Sequence, residues 1–221
     1  MSTKIKKIKA SDMFFLAALA FLALLAEPIF RSFGISGFAW TLVLRFSCIA
    51  IWILASLWLV KTAKKECGLS LFAKNKPTKL EWILISATAV AFLAYLISTN
   101  FSIYAANILG LVNVRNITLA LTRGIFNLFK ACILMLIIAF TQKGFDAIFK
   151  FGSKVPFGGI VLGVIWIIMA LSSSGVTIMW QMLLGLFVYG TVLGLIYILS
   201  GEKTRYALPF VALVYVLIGI L

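Results

Sequence analysis

The sequence predicts an all-α, polytopic transmembrane bundle of about seven helices, with six and eight as the bounds. Three observations carry this. Of the 221 residues, 63% are hydrophobic and 12% are charged, where a soluble domain carries about a quarter charged residues. The apolar residues come in unbroken runs of about 17 to 25, the length that crosses a ~30 Å hydrocarbon core at 1.5 Å per residue. The basic residues gather in the short segments between those runs, where the positive-inside rule puts them. A β-barrel would instead alternate apolar and polar residues over ~10-residue segments.

The elements follow in order. A basic leader with Lys4, Lys6, Lys7 and Lys9 precedes helix 1, about Met13 to Phe30. It is read as an uncleaved span and not a signal peptide, because the run ends in Glu27-Pro28 with no small-x-small cleavage site. Helix 2 is expected over about Gly37 to Val60, followed by a loop from Lys61 to Lys79 with six lysines and one acid, Glu66. Helix 3 starts near Leu80 and runs to about Asn107, long enough to be one span or two. Helix 4 covers about Asn116 to Phe140, and a basic loop with Lys143, Lys150 and Lys154 follows. Helix 5 spans Pro156 to Leu171, helix 6 about Thr177 to Leu199, and helix 7 about Tyr206 to Leu221.

Orientation follows from charge. With the N-terminus inside, fifteen of the twenty Lys and Arg fall on the inner side. The expectation is a multi-pass protein of a prokaryotic cytoplasmic membrane, N-terminus in the cytoplasm and C-terminus outside. The net charge of +14 is thereby assigned to membrane topology and not to nucleic acid. The chain has no histidine, which removes His-based acid–base catalysis and nearly all zinc sites. Cys48, Cys67 and Cys132 form no CxxC pair. No catalytic residue, metal or cofactor is expected.

Charges inside a span cost about 2.5–3.5 kcal/mol even on an insertion scale, so each needs a reason. Glu27 sits near the outer end of helix 1, with Arg31 four residues on and Arg45 at similar depth on helix 2. They form either a ligand or proton site, or an ion pair of Glu27 with Arg31 or Arg45 that locks the first hairpin. Arg123, Asn127 and Lys130 share a face of helix 4 by spacing. They are either a cationic stripe for an anionic ligand or lipid headgroup, or residues that snorkel outward and meet carbonyls inside. Gly190 and Gly194 form a GxxxG pattern for close helix packing, within this chain or with a second one.

The second half also carries a family resemblance. Phe187, Gly190, Gly194, Tyr197, Ser200 and Gly201 are similar to the F-x-x-G-x-x-x-G-x-x-Y-x-x-[ST]-G stretch of the CPBP family, the CAAX prenyl protease-like and bacteriocin-immunity (Abi) intramembrane proteins. The run from Thr118 to Gly124 resembles that family's E-E-x-x-x-R-G motif, with Arg123 and Gly124 kept. Trp166 to Ala170 stands where the family has F-x-x-x-H, and the segment through Leu208, Pro209, Val214 and Ile218 where it has H-x-x-x-N. The resemblance implies N-terminal helices 1–3 over residues 1–110 and a four-helix core over 111–221. It also implies loss of catalysis, because Thr118 and Leu119 replace the glutamates, and Ala170 and Val214 stand near the histidine positions. Water activation needs a base or a metal. The expectation is a non-catalytic scaffold, an accessory or immunity-type subunit, binding a protein or lipid partner with Arg123 in its central cavity.

Two alternatives stand beside it. One is a small-solute binding subunit like the S-component of an energy-coupling-factor transporter, using the helix 1 alanines Ala18, Ala23 and Ala26 and a pocket of Glu27, Arg45 and Trp40. The other is a hydrolase with Lys130 as the base of a Ser/Lys dyad.

Overall fold

The computed structural model describes residues 9–69, 71, 78–109, 114–149, 155–173 and 180–220. Among these there is no strand. Eight helices follow one another: α1 (Ala10–Leu24), α2 (Ala26–Ser32), α3 (Phe38–Cys67), α4 (Lys79–Leu109), α5 (Val114–Ile148), α6 (Phe157–Ser173), α7 (Trp180–Leu199) and α8 (Thr204–Ile220). α1 and α2 make one rod, interrupted at Leu25. Pro28 explains the interruption: it has no N–H to give the Leu24 carbonyl, four residues back. Seven rods result.

Three of them, 10–32, 38–67 and 117–148, are long and apolar enough to cross a membrane. Large apolar side chains point outward around the bundle, among them Leu22, Leu54, Leu57, Trp58, Ile83, Val90 and Leu121. A water-soluble fold would hide such a surface; hydrocarbon favours it. This is a helical membrane protein.

Successive rods alternate in direction. The start of α1 meets the end of α5 through Phe14 and Phe145, with ring centroids 5.2 Å apart. The start of α4 lies beside the start of α8 through Trp82 and Tyr206, 5.8 Å apart. One end of the bundle therefore gathers residues near 9, 61–69, 78–82, 143–149, 155–157 and 200–204, here termed the proximal end. The loop near 33–37 and the chain near 109, 114, 173 and 180 mark the distal end.

α5 is the hub. It packs against α1, α3, α6, α7 and α8, and every residue from 133 to 142 is buried. Over that stretch the helix is enclosed on all sides and needs no polar face, which is why its apolar run resembles the lipid-facing ones.

Two helices overrun their expected ends. α3 continues to Cys67, so Lys61, Lys64, Lys65 and Glu66 are helical and not in a loop. α5 continues to Ile148, placing Lys143 on a helix. Lysine and glutamate are good helix formers, and charge marks where a helix leaves hydrocarbon, not where its hydrogen bonding stops. α3 stops where Gly68 turns left-handed at φ 66° and the Leu69 N–H reaches the Ala63 carbonyl at 3.1 Å. α4 is one helix of 31 residues. The polar stretch expected over Thr99 to Thr122 includes 110–113, which lie outside the described residues.

α6 and α7 form a hairpin on interlocked glycines. Gly159 and Gly163 on α6 face Gly190 and Gly194 on α7. A methyl group built on Gly194 would lie 2.7 Å from the Gly159 Cα, and one on Gly190 would lie 2.6 Å from the Gly163 Cα. The backbones are in contact, so only glycine fits. Gly190 and Gly194 thus pack within this chain.

Candidate functional site

Two cations of the distal half, Lys130 and Arg31, converge on Glu27. The Glu27 side chain is 11% exposed. Lys130 Nζ donates to Oε2 at 2.7 Å, and Arg31 Nε and Nη2 donate to Oε1 at 3.1 and 2.8 Å. The expected Glu27–Arg31 pair is present. The Lys130 partner was not foreseen, since no acid lies near Lys130 on its own or the following helices. Tertiary packing of α1 on α5 supplies one from 103 residues away.

Arg45 does not pair with Glu27 as the sequence suggested. Its Nη1 donates to the Leu119 carbonyl and to Thr122 Oγ1, both at 2.6 Å. The Thr122 hydroxyl passes its own proton to the Thr118 carbonyl at 2.9 Å. α3 and α5 run parallel here, so Arg45 meets the first turns of α5 well above Glu27. It lies within electrostatic reach of Arg123, Arg31 and Glu27.

The expected stripe of Arg123, Asn127 and Lys130 divides. Asn127 Nδ2 donates to the Tyr215 carbonyl of α8 at 3.3 Å, and Lys130 turns to α2. Arg123 is exposed on the surface of α5 and does not enter a central cavity as expected. Positions four and seven residues apart on one helix share a face only loosely, and α5 has a different neighbour on each flank. No serine is hydrogen-bonded to Lys130 among the described residues, so the dyad is not assembled.

Of the helix 1 alanines, Ala17, Ala20 and Ala26 are buried and the Ala23 carbonyl accepts a hydrogen bond from Trp52 Nε1 at 2.9 Å, whereas Ala18 is exposed. A cleft of about 270 Å³ lies between α1, α5 and α6, lined by Phe14, Ala17, Phe21, Ile137, Phe145 and Ile165 among others. Thr141 is its one hydroxyl, so it offers apolar surface and no chemistry.

The distal cluster holds Arg31, Arg45, Arg123 and Lys130 against one carboxylate. The chain has six acids, and Asp12, Glu66, Glu81, Asp146 and Glu202 all sit at the proximal ends of their elements. The cluster therefore carries excess positive charge that no other side chain of the chain can neutralise. Arg31, with a side chain 66% exposed, and the exposed Arg123 have N–H groups that no described residue engages and that can be offered to an anion.

A second polar site went unforeseen. At the proximal end of α5, Lys143 Nζ contacts Glu202 Oε2 and lies 3.7 Å from Asp146 Oδ2. Buried Gln142 ties Asp146 Oδ1 (3.0 Å) and the Val155 carbonyl (3.1 Å) together, and its Oε1 accepts from the Gly158 N–H at 3.1 Å. Lys143 read as a loop charge, and Glu202 falls between the expected helices 6 and 7. The i, i+3 spacing of Lys143 and Asp146 was the available signal.

No model of a known protein family, no curated protein and no solved structure matches the chain.

Proposed function

We propose that this chain is a non-catalytic integral membrane protein that binds an anionic lipid headgroup at the distal cluster, as an accessory or immunity-type subunit on a CPBP-like scaffold would. The observation that carries the reading is the charge imbalance: the distal half holds Arg31, Arg45, Arg123 and Lys130 against the single carboxylate of Glu27. Of these only Arg31 and Lys130 pair with it, and Arg123 has no hydrogen-bond or ion-pair partner among the described residues. Planar guanidinium forks match phosphate oxygens. The cluster sits toward one end of an apolar bundle, where headgroups meet side chains. The Thr118 and Leu119 substitutions and the absence of histidine support a role without catalysis. The lysine-rich proximal end supports a cytoplasmic N-terminus.

The test is native mass spectrometry of the detergent-purified protein with phosphatidylglycerol, cardiolipin or phosphatidylcholine added. Anionic lipids are expected to be retained, and Arg123→Ala combined with Arg31→Ala to weaken retention at least tenfold, since each Arg–phosphate contact is a charge-assisted hydrogen bond of about 1.5–3 kcal/mol. Equal retention of phosphatidylcholine, or retention unchanged in the double variant, would refute the reading. A stoichiometric co-purifying protein with no bound lipid would shift it to a protein partner.

A further inference from the structure

α1 and α6 both pack against α5, yet among the described residues they do not pack against each other. The space between them is the cleft of about 270 Å³. Its floor is α5, through Ile137 and Thr141, and its walls are Ala17 and Ala18 on α1 and Val161 and Ile165 on α6. The two alanines leave the space that larger side chains would fill.

The cleft is closed at one end. Phe14 of α1 meets Phe145 of α5 edge to face at 5.2 Å, and Phe145 stacks on Phe157 of α6 at 4.9 Å. These rings bridge the three helices at the proximal edge. Gly144 makes room for them, since a methyl group there would lie 2.9 Å from the Phe14 ring. The side is open. Ala18 is exposed, and so are Phe15 and Leu22 beside it on α1 and Val164 and Ile168 on α6. The cleft is therefore continuous with the lipid-facing surface.

Size and chemistry select the occupant. An apolar cavity stays dry, and one left empty forfeits dispersion contacts along its walls. A single helical turn, ~10 Å across and 5.4 Å high, fills roughly 400 Å³, more than the cleft holds. A hydrocarbon chain is slender enough, and the bilayer supplies it along the open side. From Phe14 to Phe21 the α1 wall runs about 10 Å at 1.5 Å per residue, inside the ~15 Å that one leaflet contributes to the hydrocarbon core.

We propose that the cleft binds one acyl chain of a proximal-leaflet lipid, recognised by its hydrocarbon and not by its headgroup. It is a second lipid site, in the leaflet opposite the distal cluster, and it does not depend on that cluster binding an anion.

The test is photolabelling of the full chain in phosphatidylcholine vesicles that contain a trace of phosphatidylcholine with a diazirine in one acyl chain. Labelled residues are mapped by mass spectrometry. The zwitterionic headgroup separates this site from the distal one. Label is expected on the 14–21 and 161–165 segments at several-fold the level on the exposed Leu54 and Leu57 of α3, which reports the passing lipid coat. Ala18→Phe fills the cleft from an exposed position and should lower the label to that level. Ile165→Trp, on the opposite wall, is the second cleft-filling variant if Ala18→Phe does not fold. Label in the cleft no greater than on α3 overturns the proposal, as does excess label unchanged in the folded variants. A chain that runs as a dimer with an unlabelled cleft also overturns it, leaving a second copy as the occupant.

Discussion

Glu27 is the residue on which the first hairpin and the hub depend. It holds Lys130 and Arg31 in a partly buried triad, and removing one member of such a pair strands the others. Glu27→Gln is expected to destabilise the protein by about 3–5 kcal/mol, read as a lowered unfolding midpoint in detergent. The double variant Glu27→Gln with Lys130→Met should recover most of that loss, because the stranded ammonium is gone. Equal midpoints for the single and double variants would show that the pair is not coupled. Glu202 makes the pH prediction. Its folded-state carboxyl titrates above its ordinary range, so the folded chain holds that proton more tightly than the unfolded one. Its contribution is complete at pH below the ordinary glutamate value and is lost as pH rises through the raised one. Stability is expected to fall over that window, and Glu202→Gln to flatten the slope.

Among the elements, the α6–α7 hairpin depends on backbone contact. Gly194→Ala places a methyl group against the Gly159 backbone, and overpacking of this kind costs about 1–3 kcal/mol. Gly185, on the same α7 helix, has open space where its Cβ would be. Gly185→Ala is therefore expected to be neutral or to stabilise by up to ~1 kcal/mol through helix propensity. Thermal midpoints of the two variants decide it, and equal effects would refute the close approach. The Gly190/Gly194 pattern was legible in the sequence; its partners Gly159 and Gly163 also stand in GxxxG spacing and went unread. Spacing alone does not say which helix a glycine face meets. Helix ends were less legible than helix centres. Hydropathy reports where a chain leaves hydrocarbon, and both α3 and α5 continue past that point on lysine-bearing turns.

For the whole molecule, the alternating rods put the 61–69 and 200–204 segments at one end and the 33–37 loop at the other. Together with the lysine excess, this predicts a topology. In intact cells, a cysteine at Ser36→Cys in a Cys-free background should react with a membrane-impermeant maleimide, while Lys203→Cys should react only after lysis. The reverse pattern would invert the bundle and place the Arg cluster on the cytoplasmic side.

The sequence by itself determined that the chain is a helical membrane protein, where most spans lie, and that Glu27, Arg45, Arg123, Asn127 and Lys130 need a physical reason to be there. Run length, composition and the cost of buried charge are local properties, readable one segment at a time. Only the tertiary structure decided that α5 is the hub, that Lys130 belongs to Glu27, that Arg45 reaches α5 and Arg123 faces outward, and that Asp146 and Glu202 meet across 56 residues. Apolar helices of similar composition carry no mark of their neighbours. Which side chains meet across the bundle is set by how the rods pack, and that packing is a property of all of them together.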